Sequence, residues 1–232
     1  MTDYTKEEDK ILKKYYPKLG IKVKEFLPDR SLDSIEHRTR RLNIKFTGGL
    51  NPEGLNGYLD IESSGLQGDF NFIYCWSIKV ADKDKVYWDI ITPEEIHNGT
   101  LDKRIIQSLV NTLKIFKRVY TFYGSNFDIP MTRTRALYWG IDFVPYGLVE
   151  HKDVYYMSKR LLCIHSHRLE ATADLMEIKG KTHLEPRYWV MAVTGNLEAL
   201  GYILDHNKKD VILLEKVHKK LQEYQGDTRR FI

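Results

Sequence analysis

Cysteine is scarce in this chain of 232 residues: Cys75 and Cys163 are the only two, far apart and in no metal or redox spacing. That scarcity excludes a disulfide framework and leaves two reduced thiols as the expectation. Long apolar runs are also missing. No stretch approaches the roughly 18 residues that a membrane span needs, so no membrane partner is expected. The opening "MTDYTKEEDK" is too charged for a secretory signal, and the expectation is a cytoplasmic protein. Neither sign of charge dominates, since 36 Lys and Arg stand against 32 Asp and Glu. At 42% hydrophobic and 29% charged residues the chain reads as globular, with length for one large domain or two unequal ones.

The charge is distributed unevenly. Residues 1–45 hold 12 Lys and Arg against 8 Asp and Glu, whereas residues 46–232 hold 24 of each. A surplus confined to the first fifth of the chain points to a nucleic-acid contact there, although a solvated helical face carries similar excesses. Thr5 and Glu8 have the capping-box spacing, and Ile11, Leu12 and Tyr15 follow on one helical face that Pro17 and Gly20 should end. A second short helix is predicted over Ile21–Leu27. Ser31 can cap a third, with Leu32, Ile35, Thr39 and Leu42 inward and Ser34, His37, Arg38 and Arg41 outward. Three short helices ending in a basic face suit a reader of the DNA major groove or a protein-interaction module. Residues 4–44 resemble Myb/SANT-like helix-turn-helix segments in their early aromatic and acidic residues, "LG" turn and closing "RTRRL", with Tyr4 where that family usually has Trp. The resemblance implies duplex DNA as a partner, bound through Ser34, His37, Arg38 and Arg41. The glycine-rich stretch 46–56 that follows reads as a linker, giving domains at 1–45 and 57–232.

From Gly57 the pattern becomes β-like. In "YLDIES" a strand sets Asp60 and Glu62 on one face, about 7 Å apart, so both carboxylates can reach one cation. A strand with one solvated face would look the same. Further strands are predicted over Asn71–Val80 and Lys85–Ile91, then a helix over Leu101–Phe116, a strand ending near Tyr123, and a helix opening at Asp128 with Pro130 in its first turn. The C-terminal stretch from Gly195 to Tyr224 is a long helical pattern with Val211, Leu214 and Val217 inward and Asp210 bordering them. His206 stands one turn before Asp210 on the same side. Four histidines, His151, His165, His167 and His183, have neither a cysteine pair nor an H-E-x-x-H pattern beside them, which argues against zinc.

The order Asp60-x-Glu62, Asp128, Asp210 resembles the DEDD superfamily of 3′-to-5′ exonucleases. "LDIESSGL", "YGSNFDIPMTRTRA" and "HNKKDVILLEKVHKKL" are similar to its three motifs, and "EHKDVYYMSKR" and "KGKTHL" to segments of predicted bacterial and phage exonuclease domains. The resemblance implies an α/β, ribonuclease H-like mixed sheet flanked by helices, preceded here by the small helix-turn-helix domain. It implies a metal-dependent nuclease hydrolysing phosphodiester bonds of DNA, working in the host cytoplasm if the chain is of phage origin. Asp60, Glu62, Asp128 and Asp210 would hold two divalent cations, Mg2+ or Mn2+. His206 would be the catalytic group beside the attacking water, although the family places a Tyr four residues, or a His five residues, before the last Asp. Ser63, Ser64, Leu66, Asn126, Phe127 and Lys181 match positions that contact a single-stranded 3′ end, and Asp153 is a supporting acid or a helix cap. A catalytically silent DNA-binding protein, an RNA exonuclease and a structure-directed endonuclease are the alternatives.

Overall fold

The computed structural model describes residues 4–44, 46, 54–180 and 185–226. Lys181, His183 and most of the expected linker lie outside the described residues. The N-terminal helices form their own small core. α1 (Lys6–Leu19) carries the Thr5–Glu8 capping box, a 3-10 helix spans Gly20–Phe26, and α2 (Leu32–Arg41) is capped by Ser31. Leu12, Val23, Leu27 and Ile35 meet at the centre. Pro17 does not end α1; the helix runs past it to Gly20, whose φ of 56° turns the chain out. Charge stitches the helices together. Arg30 bonds Glu8 in a bidentate pair, holding that carboxyl down at about 2, and Arg38 bonds Asp9 likewise and lowers its carboxyl from the usual range. Both guanidiniums lie over the ring of Tyr4.

The rest is a mixed α/β layer structure. β1 (Leu55–Ser63), β2 (Ile73–Val80) and β3 (Val86–Ile90) are antiparallel neighbours. α3 (Pro93–His97) and α4 (Lys103–Leu113) follow, then β4 (Phe116–Thr121) parallel to β1, α5 (Asp128–Tyr138), and β5 (Glu150–Asp153) parallel to β4. α6 (Val154–Leu161), α7 (Leu169–Leu175), α8 (Pro186–Ala192) and α9 (Leu197–Gln222) complete the described elements. Among the described residues the strand order is β3-β2-β1-β4-β5, with β1 in the middle. All eight residues of β2 are buried, as a strand covered on both faces requires.

Two helices cover the two faces. On one, Trp76 donates from Nε1 to the carbonyl of Ile105 on α4, and its cross-strand partner Ile61 and the pair Leu59–Ile78 share that side. On the other lies α9, and Lys79 reaches it through an ion pair with Glu215. The predicted helix over Leu101–Phe116 is shorter than expected. Phe116 continues the apolar spacing of Ile105, Ile106, Leu109, Val110 and Leu113, yet it opens β4 because it pairs with Leu55 in the sheet.

Candidate active site

The four acidic residues arrive from three elements: Asp60 and Glu62 from β1, Asp128 from α5 and Asp210 from α9. β1 alternates, so Tyr58, Asp60 and Glu62 all point at α9. Stepping back along β1 from Glu62 to Tyr58 steps forward along α9. Glu62 faces His206, with Oε1 4.0 Å from Nε2; Asp60 accepts a 2.7 Å hydrogen bond from the Asn207 amide; and Tyr58 bonds His218 at 2.9 Å. Asp210 lies one helical turn after His206, with Oδ2 3.5 Å from the same Nε2. A register shift between Glu62 and Ser63 then turns β1 out of the sheet into the loop carrying Leu66.

Asp128 enters from the opposite side as the first residue of α5. The loop before it is tightly built. A side chain on Gly124 would put a Cβ 2.3 Å from Thr121 Oγ1, and Tyr123 adopts a φ of 66°. Asp153 holds this loop by accepting from the backbone N–H groups of Tyr123 and Ser125, while also capping α6 through Tyr155. Asp128 Oδ1 accepts from the N–H of Ile61, between the two acids of β1. Asp60, Glu62, Asp128, Asp210 and His206 are thus brought together.

The electrostatics follow from that convergence. Asp60 is pushed well above the usual carboxylate range, first by burial and then by the negative charges of Asp128, Glu62 and Asp210; the Asn207 bond offsets only part of this. Asp128 is raised to about 7: burial outweighs the stabilising backbone N–H groups at the helix start and at Ile61. A donor set of this kind disfavours its own ionised form and is relieved by divalent cations, which prefer carboxylate oxygens. Glu62, His206 and Asp210 each offer a ligand atom within 4.8 Å of the others. The residues therefore fit the divalent ions that ribonuclease H-like nucleases generally use.

The remaining sequence-selected residues surround this centre or lie apart. Ser63 Oγ donates to the Gly65 carbonyl and Ser64 Oγ accepts from the Phe72 N–H, so both hydroxyls shape the loop, while Leu66 stands 83% exposed near its tip. Asn126 donates to the Tyr156 hydroxyl, and Phe127 packs against the main core. In the N-terminal unit, Ser34 bonds Tyr4 and Arg38 is held by Asp9, while His37 and Arg41 are exposed. Cys75 is buried and Cys163 exposed, and both are free thiols.

Sequence reasoning passed over two supports. Asn207 lies inside the third motif but carries no charge to draw notice. Asp102 is fully buried and accepts from Arg135, the Trp139 indole and the Ile73 N–H, and Arg135 also donates to the Gly68 carbonyl. This ion pair ties α5, which carries Asp128, to β2 and to the Leu66 loop. Its partners are 33 residues apart, so no local spacing announces it.

Comparison with known proteins agrees with the architecture. The DNA polymerase of Methanocaldococcus jannaschii is 29% identical over a segment that covers 36% of this chain and 7% of the polymerase. The solved family B DNA polymerase of the hyperthermophilic archaeon Pyrobaculum calidifontis superposes with a TM-score of 0.60 at 17% identity, over 74% of this chain and 25% of that one. The chain therefore spans a small fraction of either polymerase, and the structural likeness is one of fold. A family model described as RNase H superfamily matches residues 57–222, a span that takes in all four converging carboxylates and both helices that cover the sheet, and the chain belongs to that superfamily.

Proposed function

We propose that the protein is a two-cation 3′-to-5′ exonuclease that hydrolyses phosphodiester bonds of DNA, with its N-terminal helices docking on duplex. The observation that carries this reading is the meeting of Asp60, Glu62, Asp128 and Asp210 from three segments remote in sequence. Membership of a superfamily that includes nucleases and similarity to DNA polymerases both support it.

The four carboxylates hold Mg2+ or Mn2+, and such ions supply the positive charge that polarises the scissile phosphate and makes water nucleophilic at neutral pH. The protein's own part is positioning. Asn207 fixes the rotamer of Asp60, the Ile61 N–H fixes Asp128, and the Asp102–Arg135 pair holds α5 against the sheet. Leu66 meets the terminal base of a single-stranded 3′ end, and Asn126 and Phe127 line the same approach. His206 completes the catalytic set. At the N-terminus, the exposed His37 and Arg41 are the members of the Ser34, His37, Arg38 and Arg41 set that face a duplex.

End-labelled single-stranded DNA, duplex DNA and RNA, each incubated with EDTA, Mg2+ or Mn2+, test the reading through the product ladder. DNA should shorten one nucleotide at a time from the 3′ end with either metal and not with EDTA. Asp60→Ala and Asp210→Ala should each slow this by roughly 10³-fold, about 4 kcal/mol of barrier. Undiminished digestion by Asp210→Ala removes this active site; a ladder on RNA alone, or internal products, replaces the substrate or the cutting mode.

A further inference from the structure

His206 has two chemically different ways to serve the site: its lone pair can take a proton from water on the open side, or it can bind a cation directly. The geometry separates them. The His206 side chain is 2% exposed, against 16% for Glu62 and 15% for Asp210. The ring is buried with Nε2 facing those two more exposed carboxylates, and it meets the Trp189 ring in a T-shaped contact with the centroids 5.9 Å apart. Trp189 is itself tied to the sheet through its carbonyl, which accepts from the Tyr74 hydroxyl. A proton acceptor must face the water and phosphate that enter from solvent; a ring that is 2% exposed does not.

The distances point the same way. Nε2 is 3.5 Å from Asp210 Oδ2 and 4.0 Å from Glu62 Oε1. Two donors that share one cation, each about 2.1 Å from it, are separated by roughly 3 to 4 Å. A cation held jointly by Glu62 and Asp210 is consequently within reach of Nε2, which is aimed at both. The spacing has a sequence cause, because His206 and Asp210 are four residues apart on α9 and project one above the other.

We propose that His206 Nε2 is a direct ligand of the cation held by Glu62 and Asp210, so that this cation sits in a mixed nitrogen and oxygen site. The proposal rests on the two-cation reading of the same cluster and assigns the imidazole within it. Nitrogen ligation has a consequence for metal choice. Mg2+ strongly prefers oxygen donors and keeps its waters, whereas transition-metal ions accept imidazole, so the site should favour Mn2+ over Mg2+.

Electron spin-echo spectroscopy of Mn2+ bound to the full chain reads this directly, without turnover. The expected result is a 14N coupling to the bound Mn2+ that changes to the 15N pattern when histidine alone is 15N-labelled. In His206→Gln the coupling should vanish and Mn2+ affinity should fall about tenfold or more, with a smaller loss for Mg2+. Mn2+ bound without histidine nitrogen coupling overturns the proposal while leaving the carboxylate site in place. Failure of the chain to bind Mn2+ at all, or binding unaltered by Asp210→Asn, overturns the two-cation reading as well. The labelling experiment on the unsubstituted chain keeps the test decisive even if His206→Gln folds poorly.

Discussion

Leu59 and Ile61 project from β1 toward the side covered by α4, while Tyr58, Asp60 and Glu62, interleaved with them, project toward α9. The first side is apolar: Leu59 and Ile61 are buried with Trp76, Ile78 and the inward residues of α4. Burial of that kind stabilises by about 1.5–3 kcal/mol per large side chain. The second side does the reverse. Burial and then the charges of Asp128, Glu62 and Asp210 raise the proton affinity of Asp60, an unfavourable charge environment that a divalent cation would relieve. Adjacent residues of one strand thus divide the work, one face holding the fold together and the other keeping a charge cluster ready.

The sharpest way to break this division is to truncate its two sides separately. Ile61→Ala should lower stability by about 2–4 kcal/mol in urea unfolding, while turnover of the molecules that remain folded persists. Asp60→Ala should do the opposite, abolishing metal-dependent hydrolysis with a metal-free melting temperature no lower than that of the parent. If both lose stability equally, the faces are not specialised.

The N-terminal helices offer a second contrast, since Arg30 and Arg38 are paired with Glu8 and Asp9 while His37 and Arg41 are exposed. Deleting residues 1–45 should weaken duplex binding by roughly tenfold and flatten its salt dependence, while hydrolysis of short oligonucleotides is spared. Duplex affinity unchanged by the deletion would confine DNA contact to the α/β part.

The smallest effect concerns protons. Burial holds Asp128 at about 7, above its value of roughly 3.9 in an unfolded chain, so the folded state binds this proton more tightly. The resulting stabilisation is complete below about pH 4 and is lost as pH rises through 7. Asp128→Asn should therefore melt a few degrees above the parent at pH 8 in EDTA and level with it at pH 4. Adding Mn2+ to the parent should likewise raise its melting temperature more at pH 8 than at pH 5.

Much of this was legible in the sequence because local rules governed it. Period-two alternation placed Asp60 and Glu62 on one face, and the 3.6-residue period placed His206 beside Asp210. Where two local signals competed, the sequence misled. Phe116 fits the helical spacing of α4 and became a strand residue only through its pairing with Leu55. Pro17 looked like a helix stop, although the turn at Gly20 ends α1. β5, a four-residue strand of Glu150–Asp153 with only polar side chains, had no apolar pattern to reveal it and exists because β4 offers it an edge.

The amino-acid order by itself determined the types of α1, α2, β1 to β4, α4, α5 and α9, the side of each on which the acids stand, and the capping of α1 and α2, because those depend on neighbours within a turn or two. Only the tertiary structure decided that Asp128 reaches the backbone between Asp60 and Glu62, that Asn207 steadies Asp60, that Arg135 buries its charge on Asp102, and that His206 faces Glu62. Those contacts join residues from 33 to 147 positions apart, and their energies depend on burial and on the sum of nearby charges, quantities that exist only once the chain has closed on itself.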